Sequence, residues 1–210
     1  MSPDDARVAA AAGFVAVAGN VVAVACLHAM PSAYRLARLD EWVLAVHDQR
    51  AATAASTVAF VVGLVALSYW ARQLGARATA AARAGAWLVS VTALFDAAGA
   101  LAPFVQSSLV RSRAPEALIV GRALLGTSLS LDAVFNLGLG VGLSLMASSQ
   151  RGALRAAMLA AGLANLPVSA QVVWDPAATG LYLSAPLWLS VIVWTSVRGV
   201  RAASLAQGPA

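Results

Sequence analysis

The sequence predicts an all-α integral membrane protein, a bundle of six transmembrane helices with an amphipathic outer helix after the first span. Three observations carry this. The 210 residues are 60% hydrophobic and 11% charged, against roughly 25% charged in a soluble domain. Six stretches are long and apolar enough to cross a hydrocarbon core, which takes about 20 helical residues. The basic residues, all 14 of them arginine, fall mostly between those stretches.

The spans lie at about 8–30, 53–71, 84–105, 124–147, 156–174 and 179–197, so residues 1–210 read as a single transmembrane domain. The first follows MSPDDARVAAAAGF, which lacks the basic start and short apolar run of a cleavable signal peptide. Residues 31–52 are too polar to span. Leu36, Leu39, Trp42, Val43 and Val46 recur there at helical spacing, as in an amphipathic helix on the outer surface or capping the bundle. The second span, TAASTVAFVVGLVALSYWA, is short. A polar connection, QSSLVRSRAPE, follows the third. The apolar ALIV at 117–120 allows an earlier start to the fourth, with Arg122 near its outer end, placed to pair with Asp132 or a lipid phosphate. Pro167 and Pro186 sit inside the last two spans, where each can kink its helix beside a cavity.

Arginine placement sets the orientation. With the N-terminus inside, eight arginines fall on the cytoplasmic side and six outside, and the outer ones sit among Asp40, Glu41, Asp48 and Glu116. The positive-inside rule then gives a multi-pass cell-membrane protein, of bacterial inner-membrane type, with both termini cytoplasmic.

Several chemistries are excluded. Without lysine there is no Schiff base for retinal or pyridoxal. Cys26 is the single cysteine, so no intrachain disulfide forms. His28 reads as an interface residue and His47 as solvated. No P-loop, HExxH, GxSxG or dinucleotide fingerprint occurs, and GLGVG at 138–142 reads as small-residue helix packing. No cofactor, metal or nucleic acid is expected. The lipid bilayer is the expected partner, together with a small apolar or cationic ligand.

The polar residues of the spans form stripes. Ser128, Asp132 and Asn136 share one face of the fourth span, and Thr92 and Asp96 one face of the third. Asn20 and His28 share a face in the first span, Asn165 and Ser169 in the fifth. Ser184, Trp188 and Thr195 lie to one side of the sixth. A carboxylate at the bilayer centre costs ~2.5–3.5 kcal/mol even on the lenient insertion scale. Both aspartates should therefore face the bundle interior. Asp96 lies ~18 Å from the inner end of its span and Asp132 ~12 Å from the outer end of its own, at 1.5 Å per residue. A shared site is geometrically allowed. Asp132, Asn136, Asp96, Asn20, Asn165 and Ser128 are the candidate intramembrane polar site. Asn20, Asn165 and the serines read more readily as interhelical hydrogen-bonding glue than as ligands.

The second half runs GRALLG (121–126), FNLGLGVGLSLMASSQ (135–150), GLANLP (162–167) and PLWLSVIVWTSVRG (186–199). It resembles the uncharacterised bacterial six-span family called domain of unknown function 4386. That resemblance implies six helices and an amphipathic outer segment after the first, and it implies no reaction. Three functions fit the residues. The first is a helix-bundle scaffold or partner subunit. The second is binding or transport of a small molecule or ion through a polar intramembrane cavity. The third is an intramembrane enzyme on a lipid or isoprenoid, with one aspartate as general acid.

Overall fold

The computed structural model describes residues 3–27, 39–76, 78–109, 115–174 and 180–206. Among these lie seven α-helices: α1 (Pro3–Leu27), α2 (Leu39–Asp48), α3 (Arg50–Gly75), α4 (Ala80–Leu109), α5 (Pro115–Met146), α6 (Gly152–Asn165) and α7 (Leu181–Leu205). All but the short α2 belong to six apolar stretches long enough to cross a membrane, the α6 stretch including the 3₁₀ segment that follows it. Alanine and leucine, strong helix formers, dominate them. Their starts follow ordinary capping physics: Asp4 and Asp5 lie in the first turn of α1, Asp40 and Glu41 in that of α2, and Glu116 in that of α5, where carboxylates meet the positive end of the helix dipole.

The six long helices form a closed ring in the order α1, α3, α4, α5, α6, α7, with α7 returning to α1. The centre is filled by one apolar cluster that includes Ala16, Leu64, Trp70, Val89, Leu139, Met158 and Ile192. Glycines set the closest approaches. A Cβ on Gly142 would sit 2.8 Å from the Gly85 carbonyl oxygen, so α4 and α5 meet backbone to backbone. A Cβ on Gly19 would sit 2.7 Å from Gly63 Cα, so α1 and α3 do the same. The GLGVG run is the packing device expected of it, since Gly138, Gly140 and Gly142 receive Thr92, Leu166 and Val89.

Four differences from the sequence reading have physical causes. First, most helices run past the apolar windows, because polar ends in headgroups and water stay helical. Thus α5 begins at Pro115, nine residues before 124, and α3 begins at Arg50. Second, the amphipathic segment divides. Its helix is α2 (Leu39–Asp48), α3 takes over from Arg50, and residues 31–38 lie outside the described residues, as does His28. Third, the fifth span is α-helical only to Asn165. Pro167 has no amide proton to continue the ladder, and Pro167–Val172 winds instead as a 3₁₀ segment.

Fourth, the side-chain partner of Arg122 is Asp40, not Asp132. Arg122 lies two turns inside α5, and its Nε and Nη2 donate to the two carboxylate oxygens of Asp40 on α2. The guanidinium holds the Asp40 carboxyl below the usual carboxylate range. Two further attachments seat α2. Buried Gln106 of α4 donates from Nε2 to the Val43 carbonyl at 2.9 Å, and Trp42, Val43 and Val46 pack with Leu125 of α5. The amphipathic helix thus lays its apolar face on the bundle.

Candidate functional site

Beneath α2 lies a cavity of about 60 Å³. Its roof is Trp42 and Val46 of α2. Ala23 and Val24 come from α1, and Thr53, Ser56, Thr57 and Phe60 from α3. Asp96, Ala100 and Pro103 come from α4, and Ser128, Leu129 and Asp132 from α5. The stretches from α1 and α3 lie toward the α2 end of their helices, and those from α4 and α5 reach down to the middle of theirs. Measured from the opposite ends, Asp96 is sixteen residues into α4 and Asp132 fourteen residues back from the end of α5. At 1.5 Å per residue those depths are ~24 Å and ~21 Å. The two carboxylates are level to within one helical turn, and each lies within the electrostatic reach of the other.

Their surroundings differ. Asp132 Oδ2 accepts a hydrogen bond from Gln171 Nε2. Gln171 is fully buried and sits on the 3₁₀ segment after Pro167. Asp96 is 2% exposed, and its Oδ2 has no hydrogen-bond partner among the described residues. No basic side chain is among the described residues that line the cavity.

The hydroxyls in the wall are already oriented. Ser56 Oγ donates to the Ala23 carbonyl at 3.1 Å, across the α1–α3 seam, and Thr53 Oγ1 donates to the Gln49 carbonyl at 3.0 Å. With their protons spent on the backbone, these oxygens offer the cavity lone pairs. Two carboxylates and these hydroxyl lone pairs make an acceptor-rich interior.

Of the six residues that the stripes nominate, Asp96, Asp132 and Ser128 line this one cavity. Asn20, Asn136 and Asn165 do not. Each donates from Nδ2 at 2.8 Å to the carbonyl four residues earlier on its own helix, Ala16, Asp132 and Ala161 respectively. Ser169 and Thr195 also bond back to their own helical backbone. The fifth span serves the site through Gln171 instead. Thr53, Ser56 and Thr57, on a span with no nominated residue, complete the polar wall. Repetition every fourth residue cannot reveal Gln171, because the 3₁₀ segment changes the period. The α3 residues carry one weak signal, three hydroxyls within five positions at the end of a span.

Among the described residues no group of three or more His, Cys, Asp or Glu side chains could hold a metal ion. The chain matches no family model, no curated protein and no solved structure.

Proposed function

We propose that this membrane protein binds a small cationic solute in the cavity beneath α2, with Asp96 and Asp132 as its anionic pole. The observation that carries the reading is Asp96, a buried carboxylate whose Oδ2 has no hydrogen-bond partner among the described residues, in a cavity that also holds Asp132. Burying an unpaired acid in a low-dielectric interior is costly and stabilises no packing by itself. A cation repays that cost. In the same proposal the protein is a multi-pass protein of a bacterial cell membrane, with both termini cytoplasmic and the cavity in the outer half. Membership of the six-span family named above rests on its second-half motifs alone.

The scaffold reading keeps one specific support, the tight glycine crossings of α1 with α3 and α4 with α5; the three asparagines bond back to their own helices and so do not act as the interhelical glue expected of them. An enzyme on a lipid or isoprenoid fits less well, since about 60 Å³ gives no room for such a chain. Thermal unfolding of the purified protein against sodium, potassium, ammonium and methylammonium chlorides at constant ionic strength tests the proposal. Saturating ligand at a hundred times its Kd stabilises by ~2.7 kcal/mol. At least one cation should raise the Tm of the wild type and not that of Asp96→Asn. Indifference of the wild type to every cation contradicts the reading.

A further inference from the structure

The chemistry of the wall narrows the ligand class, resting on the cation reading above. An alkali ion asks for oxygen ligands on all sides. Here eight of the fourteen lining residues are apolar, and two of those eight are aromatic, Trp42 in the roof and Phe60 on α3. The acceptors come from α3, α4 and α5, and the two aromatic side chains from α2 and α3. A ligand that suits both carries N–H donors on one side and a cationic hydrocarbon surface on the other. Aromatic faces attract such cations, by as much as a few-tens-fold in affinity once water is excluded.

Volume sets the size. A cavity of about 150 Å³ takes benzene, with six heavy atoms. In proportion, about 60 Å³ takes roughly two or three heavy atoms. We infer that the cavity beneath α2 is a site for a small alkylammonium ion, of the size of methylammonium or dimethylammonium. Its N–H groups, three in methylammonium and two in dimethylammonium, donate to Asp96 Oδ2 and to one or both of the Ser56 and Thr53 hydroxyl oxygens, and its one or two methyl groups lie against Trp42 and Phe60. Asp132, engaged by Gln171, supplies the second negative charge without having to release a protein partner. The unpartnered Asp96 oxygen, buried in the cavity wall, is the observation that makes this more than a pair of acids.

Equilibrium dialysis of radiolabelled methylammonium against the purified full-length protein tests this, with unlabelled dimethylammonium, tetramethylammonium and sodium as competitors. Dimethylammonium should displace the label. Tetramethylammonium, too large and without N–H groups, and sodium should not. Asp96→Asn should abolish binding. Trp42→Leu should weaken it by about five- to thirty-fold, while Trp42→Phe, which keeps an aromatic face, should stay within about three-fold of wild type. If Trp42→Leu does not fold, Trp42→Phe and the competitor series still decide. Binding of radiolabelled sodium without methylammonium, displacement by tetramethylammonium, or a folded Trp42→Leu of unchanged affinity overturns the alkylammonium assignment and leaves the cation reading standing. Binding of neither label overturns the alkylammonium assignment, and if no chloride of the thermal series raises the Tm either, both readings fall.

Discussion

The two aspartates are built for different tasks, and substitutions separate them. Asp132 has a protein partner. Asp132→Leu strands the Gln171 Nε2 donor in a fully buried position and should lower stability by ~1–2 kcal/mol, the scale of an interhelical bond in membranes. Asp132→Asn retains an oxygen that accepts from Gln171, so it should unfold at the wild-type temperature. Asp96 Oδ2 has no such bond to lose. Asp96→Asn should therefore leave the Tm of the ligand-free protein unchanged while removing the anionic anchor. Calorimetry of the three variants in one detergent checks the set, and a large destabilisation by Asp96→Asn would mark that residue as structural. Asp96, Asp132 and Ser128 were legible because a carboxylate in an apolar span has few places to point and i,i+4 spacing shares a face. Gln171 was hidden by the change of helical period after Pro167. The Arg122–Asp40 pair was hidden because 82 positions separate the partners and no local pattern joins them.

Among the elements, α2 has an attachment that is electrostatic as well as apolar. The Asp40 carboxyl is held below its ordinary value by Arg122. A depressed carboxyl contributes its stabilisation above the unfolded value of about 3.9 and loses it as pH falls through the lower folded value. Docking of α2 should therefore be flat from neutral pH down to about 4 and loosen only below that. Acrylamide quenching of Trp42, with the other five of the six tryptophans replaced, reports it. Asp40→Asn should show raised quenching at neutral pH and no further rise in acid, whereas a wild type that loosens between pH 5 and 7 contradicts the assignment. The α4–α5 seam depends on shape alone. A Cβ on Gly142 falls 2.8 Å from the Gly85 carbonyl oxygen, so Gly142→Val should cost about 1–3 kcal/mol of overpacking strain. Thermal unfolding measures it, and no loss would mean that the seam opens without penalty. The six spans and the amphipathic helix were readable from hydropathy and spacing. Their ends were not, because helix persists into headgroups and water where composition no longer marks it.

For the whole molecule, a closed ring of six helices puts α2 at one end, with the cavity running from it toward the middle of the bundle, and the start of α1 and the end of α7 at the other end. In the proposed orientation, with both termini cytoplasmic, α2 faces outward. In a Cys26→Ser background, Trp174→Cys at the α2 end should react with an impermeant thiol reagent added outside, and Arg151→Cys should not. The reverse pattern would turn the molecule over. Ring closure was not legible in the sequence, because nothing in a set of apolar stretches says which faces meet. The site followed from it, since the two aspartate-bearing stripes meet the α3 hydroxyls only once α3, α4 and α5 stand side by side. The central claim is that this convergence makes a ligand site. Its most direct test is a density map at side-chain resolution of the protein in lipid nanodiscs, prepared in methylammonium chloride. The expected result is a non-protein peak within hydrogen-bond distance of Asp96 Oδ2, beneath Trp42. A cavity closed by Trp42 and Leu129, with Asp96 bonded to a protein donor, would contradict it.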